Sequence, residues 1–310
     1  MTQVNMQQVK ELRDRTQAGL NDCRSALVEA GGDMEKAVEV ILKKGLAKSA
    51  KRAGAVATEG LVATAVSADG KSGVIVEVNI QTDFAARNEE FKNFVDQVVQ
   101  AALKAKPGAD LAAEPFPGGG GTVDEVRQAL VGKLGENITV RRYEKLAVDG
   151  SGKIGSYVHM GGKIGVLLAL RTGNDDAVKN AAFDKFVEDT AMQIAAMAPL
   201  YVDASQVPED AKKKQSEIFE AQLAEEGKPE KARPKIIEGK LAKWLKEVCL
   251  IEQQSVLDSE KTVAEIKAAL AKEIGADVSL ERFVRFERGE GIEKPVGDDF
   301  AAEVAKMAGS

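Results

Sequence analysis

The 310-residue chain predicts an α+β fold, and three features carry that prediction. Residues 60–78 and 152–170 form a gapless internal repeat whose two copies both read as β-hairpins. Each hairpin is followed by helical periodicity and then by a closing strand-like run. Within the second copy, extra residues read as two further amphipathic helices. Helices gathered beside short antiparallel strands make an α+β unit rather than an alternating parallel sheet.

Bulk properties narrow the function. A charged fraction of 30% beside 44% hydrophobic residues is that of a soluble globular chain. A net charge of −6 lacks the basic excess needed to coat nucleic acid, so no direct nucleic-acid partner is expected. Cys23 and Cys249 form neither a CxxC pair nor a disulfide framework, as expected in a reducing compartment. The opening "MTQVNMQQVKELRDRT" is charged where a signal peptide is apolar. The run "IGVLLAL" is too short to span a bilayer. The expectation is a cytoplasmic protein without a membrane partner. His159 is the single histidine, and no cluster has metal-ligand spacing. Triads and most zinc sites rely on histidine. No cofactor, no metal and no enzymatic activity are therefore expected.

Residues 1–55 predict a three-helix module. Val9 and Leu12 share one face of the first helix. Cys23, Ala26 and Leu27 mark the second, which ends at Gly31-Gly32. Asp33 caps the third, with Val38, Ile41 and Leu42 as its stripe. The following "KKGLAKSAKRAG" holds Lys43, Lys44, Lys48, Lys51 and Arg52; it reads as a solvated linker or helix, or as a contact for an acidic partner.

The duplicated core follows. At an offset of 92, Gly60, Val66, Gly70, Lys71, Gly73 and Val74 recur as Gly152, Val158, Gly162, Lys163, Gly165 and Val166. Chance would give about one or two matches. "FKNFV" (91–95) recurs as "FDKFV" (183–187) at the same offset. At an offset of 140, residues 122–142 lie over 262–282 with seven identities. The hairpins turn at "ADGKSG" and "MGGKIG", where glycine permits positive φ. The first core subdomain spans 56–148, with a Gly/Pro-rich and flexible loop at 106–122. The second comprises 149–200 and 258–290. The difference between the offsets places a helical-hairpin insertion at 201–257, with Trp244 filling its seam. Residues 291–310 close the chain with a short helix carrying Val304 and Met307. The glycine runs lack the GxxxxGK[ST] order of a phosphate cradle.

One corner stands out. The apolar run "GVIVEVNI" stops at Thr82-Asp83-Phe84, and a helix-like segment begins. Thr82 or Asp83 can cap that helix. Phe84 either packs inward as a staple or stays exposed as a wedge for a partner. The equivalent corner, "RTGNDDAVKN", has no phenylalanine at that place.

"VKELRDRTQAGLNDCRSAL" (9–27) and "EVNIQTDFAARN" (77–88) resemble the signature segments of the elongation factor Ts family. "LGENITVRR", "GSYVHMGGKIGVLL", "KWLKEVCLIEQ" and "RFERGEGIEK" extend the resemblance over nearly the whole chain. It implies a guanine-nucleotide exchange factor for the translational GTPase elongation factor Tu, bound transiently in competition with GDP and GTP. It also implies an N-terminal helical module, two related core subdomains, a coiled-coil protrusion and a C-terminal module. Asp83 and Phe84 match the pair that the family places near the partner's Mg²⁺ and phosphate seat. Arg13, Leu20 and Asn21 match contacts to the GTPase domain, while Leu134, Gly135 and His159 match core contacts. From its position alone, His159 reads equally as a surface histidine at a hairpin tip.

Overall fold

The computed structural model describes residues 4–16 and 18–293. It is an α+β fold with two three-stranded antiparallel sheets among the described residues. The N-terminal helices are α1 (Met6–Thr16), α2 (Leu20–Glu29) and α3 (Met34–Arg52). The first half of the core contains β1 (Glu59–Val66), β2 (Ser72–Ile80), α4 (Asp83–Ala86), α5 (Glu89–Lys104), α6 (Val123–Leu134) and β3 (Ile138–Ala147). The second half contains β4 (Gly152–His159), β5 (Ile164–Thr172), α7 (Asp175–Val178) and α8 (Ala181–Met197). After an inserted pair, α9 (Glu209–Glu225) and α10 (Arg233–Val248), it closes with α11 (Val263–Ile274) and β6 (Val278–Glu287).

The duplication holds to single residues. β5 and α7 lie 92 positions beyond β2 and α4, and α11 and β6 lie 140 beyond α6 and β3. β2 shifts register between Glu77 and Val78, and β5 shifts at the equivalent Ala169 and Leu170. Both α6 and α11 begin with a capping box, Thr122 with Glu125 and Thr262 with Glu265. Both end at a left-handed glycine, Gly135 or Gly275.

Strand alternation sorts the cores. Val74, Val76, Val78 and Ile80 join Phe91, Phe94 and Val95 under the first helical layer. Val166, Leu168 and Leu170 join Phe183, Phe186 and Val187 under the second. The opposite faces meet each other, with Val62, Ile75 and Leu146 against Ile154, Leu167 and Phe286. The layers are therefore helix, sheet, sheet, helix. Gly73 and Gly165 recur because the sheets approach closely there. A methyl group on Gly73 would lie 2.7 Å from Ile154 Cγ2, and one on Gly165 would lie 2.4 Å from Val62 Cγ1. Reciprocal bonds tie the halves: the Val62 N–H donates to Gly162 O and the Ile154 N–H to Gly70 O, both at 2.8 Å.

The basic connector is helical. α3 runs on to Arg52 and packs on α6, where a methyl group on Gly132 would lie 2.7 Å from Gly45 Cα. That glycine pair lets two helix backbones approach at a distance no side chain would permit. In the 106–122 segment the Phe116 N–H donates to Gly121 O at 2.9 Å, and the Phe116 ring stacks on Phe94 with centroids 5.7 Å apart. α9 and α10 pack on each other, with Arg233 on Glu220 at 2.9 Å and Trp244 half-buried. Of the segment at 291–310 expected to hold the C-terminal helix, residues 294–310 lie outside the described residues.

Candidate partner-binding site

β2 is buried along almost its entire length and delivers the chain to Thr82. Thr82 caps α4: its Oγ1 accepts the Ala85 N–H at 3.2 Å. The same hydroxyl donates to Glu136 Oε1 at 2.7 Å, and the Thr82 N–H donates to Glu136 Oε2 at 3.0 Å. One residue earlier, Gln81 Oε1 accepts the Asn137 N–H at 2.8 Å. The corner after β2 is thus clamped to the corner after α6. Asp83 pairs with Arg87 at 3.0 Å across one helical turn.

The Phe84 side chain is not packed inward as a staple: the residue is 81% exposed, the most exposed of the large hydrophobics among the described residues. At the equivalent corner Asn174 caps α7 in the same way, but the position of Phe84 is taken by Asp176. The fold does not require a ring at this corner.

The clamp brings Leu134 and Gly135 beside the Thr82–Phe84 corner, because Glu136 is the next residue. Gly135 has φ +76 and ends α6, with Leu134 packed partly against the first core. Arg13, Leu20 and Asn21 are exposed on the helical module, which reaches α6 through α3. His159 lies in the other half, exposed at the end of β4, with Nδ1 2.9 Å from the Tyr157 hydroxyl. Met160 follows, 68% exposed and with a left-handed φ of +49. Glu136, a charge-bearing support of the corner, escapes linear reading because its partner Thr82 lies 54 residues away and is assigned only by folding. One signal existed: the repeat counterpart of Glu136 is Ala276.

A cleft of about 650 Å³ lies between α3 and α6 and is walled by Val38, Ile41, Leu42, Val126 and Ala129. Burial pushes the Cys23 and Cys249 thiols up, away from the thiolate form that a nucleophile needs. Among the described residues, no group of three or more His, Cys, Asp or Glu side chains could hold a metal, and no helix is long and apolar enough to cross a membrane.

Comparison with known proteins places this architecture. The family model for elongation factor TS matches residues 81–290, from the residue before Thr82 to the end of the second half. The chain belongs to the elongation factor Ts family. It is 47% identical over 308 residues to elongation factor Ts of Clostridium botulinum (strain Alaska E43 / Type E3), covering 99% of each chain. It is 46% identical over 308 residues to that of Clostridium perfringens (strain 13 / Type A), again over 99% of each. With elongation factor Ts of Clostridium acetobutylicum it shares 47% identity over 306 residues, 98% of each chain. Likeness of this extent to the elongation factor Ts chains runs through the helical module and the inserted arm as well as the core.

Proposed function

We propose that this protein is a guanine-nucleotide exchange factor for elongation factor Tu, and that Asp83 and Phe84 carry the exchange step. The observation behind this reading is the exposure of Phe84 on a corner fixed by Thr82 and Glu136. An exchange factor forms no covalent bond, so the protein is not a catalyst of bond chemistry. It binds the nucleotide-free partner more tightly than the nucleotide-bound one, and linkage makes it weaken nucleotide binding by the same factor. Burying the Phe84 ring in the partner contributes about 1.5–3 kcal/mol. At about 1.4 kcal/mol per tenfold, that is roughly ten- to hundredfold in affinity.

A GTPase holds GDP through its phosphate cradle and Mg²⁺. A wedge driven between partner helices on that side disturbs both, and a carboxylate beside it competes for the metal's water shell. Asp83 is held by Arg87 in the free protein, so its charge acts on the partner only once that pair opens. In this reading residues 1–55 meet the GTPase domain, and the Leu134-Gly135 corner approaches the partner's other domains. His159 meets another part of the partner, and residues 201–257 form a projecting arm.

The test is direct. Elongation factor Tu loaded with a fluorescent GDP is mixed with this protein and excess unlabelled nucleotide, and release is followed. Acceleration that saturates with protein concentration is expected; release at the spontaneous rate would refute the reading.

A further inference from the structure

A carboxylate in the seam between the two sheets has no part in the proposed exchange chemistry. Glu77 lies on the inter-sheet face of β2 and is fully buried. Its oxygens accept from Arg142 Nε at 2.6 Å, Arg141 Nη1 at 3.1 Å and Asn79 Nδ2 at 3.0 Å. The remaining donor comes from the other half: the Gly289 N–H reaches Glu77 Oε1 at 2.7 Å. Its repeat counterpart at the same strand irregularity is Ala169, also buried and apolar. The bulge itself therefore needs no charge, and burying one is costly unless it is fully paired.

What differs between the halves is the exit of the chain. After β3, the Val148 N–H donates to Lys71 O; after β6, the equivalent Arg288 N–H donates to Lys163 O. Beyond that point the first copy runs on into β4, whereas the second crosses onto the first half. Gly289 lands on Glu77, Glu290 O accepts from Arg141 Nη2 at 2.6 Å, and the Arg288 side chain pairs with Glu59 at 2.7 Å. This short strap is bonded at one end to the hairpin that bears His159. At the other it is bonded to the strand that leads to Phe84.

We infer that Glu77 is a positioning residue: through the strap at 288–290 it sets the orientation of the His159 hairpin relative to the Phe84 corner. It thereby lets both meet one partner molecule at once. This rests on the proposed exchange function. Two contacts on one rigid frame reinforce each other through a high effective concentration, and a loosened frame loses that gain without losing either contact.

The experiment is a set of affinity measurements on the full chain with nucleotide-free elongation factor Tu. His159→Ala is introduced into the wild-type and Glu77→Gln backgrounds, and each affinity loss is read. With the strap intact the His159→Ala penalty is large; in Glu77→Gln it is expected to shrink by about tenfold. A purely structural Glu77 would shift all affinities together and leave the penalty unchanged, which overturns the inference. So does a wild-type background in which His159→Ala costs nothing. If Glu77→Gln does not fold, as judged by its melting transition, Arg288→Ala loosens the strap from its half-exposed side and must give the same shrinkage. Failure of the wild-type protein to accelerate GDP release would instead refute the exchange function itself.

Discussion

At the scale of single residues, the site depends on a division of labour among neighbours. Thr82 gives one hydroxyl two tasks, capping α4 and gripping Glu136. Thr82→Val keeps the shape and removes both, at about 1 kcal/mol for the cap. It should slow GDP release although Phe84 remains, while Thr82→Ser should restore the rate; stopped-flow release separates the two. Arg87 restrains Asp83 through a solvent-exposed pair, and such pairs are worth about 0–1 kcal/mol. Arg87→Ala is thus expected to raise the release rate by up to about fivefold, and Asp83→Asn to lower it. Equal rates in wild type and Arg87→Ala would show that the carboxylate is not limited by this pair.

At the scale of elements, much of the architecture was legible in the sequence. The matched glycines and the two offsets located both hairpins, the helices and closing strand that follow each, and the inserted pair. They did so because turns, caps and close sheet contacts demand particular residues at Gly70, Gly73 and Gly135 and at their counterparts. The end of the third helix was not legible. "KKGLAKSAKRAG" carries no proline and too few apolar residues to betray a buried face, yet Gly45 sits against Gly132. Helix contacts made through glycine backbones leave no hydrophobic stripe. Gly132→Ala would push α3 off α6 and should destabilise by about 1–3 kcal/mol. The expected readout is earlier cleavage within residues 4–55 in limited proteolysis; an unchanged digestion pattern and melting temperature would contradict the close packing. In the candidate site Phe84 was legible as an unusual residue but not as an exposed one, since a staple and a wedge share the same sequence. The exposure emerges only in the folded chain, where the corner beside Phe84 is bonded to Glu136, 54 residues away.

At the scale of the whole molecule, one buried charge joins the halves. Burial alone would raise the Glu77 carboxyl, but the Gly289 N–H, the Asn79 amide and the Arg142 guanidinium outweigh it and hold the group below its ordinary value. Arg141 also faces it, and Glu290 lies beyond Arg142. A carboxyl lowered in the folded state contributes stability above its unfolded pKa, about 4.3, and that contribution is lost as pH falls through the folded value. Thermal melts from pH 7 to pH 3 should show a steeper acid limb for wild type than for Glu77→Gln. Parallel curves would remove Glu77 from the acid response.

The decisive measurement is GDP release from elongation factor Tu with wild-type protein and Phe84→Ala at saturating concentrations. The exposed ring supports none of the protein's own core, so the two should melt alike. Release should be roughly ten- to hundredfold slower with the variant. Release at the wild-type rate, with the ring gone, would contradict the account.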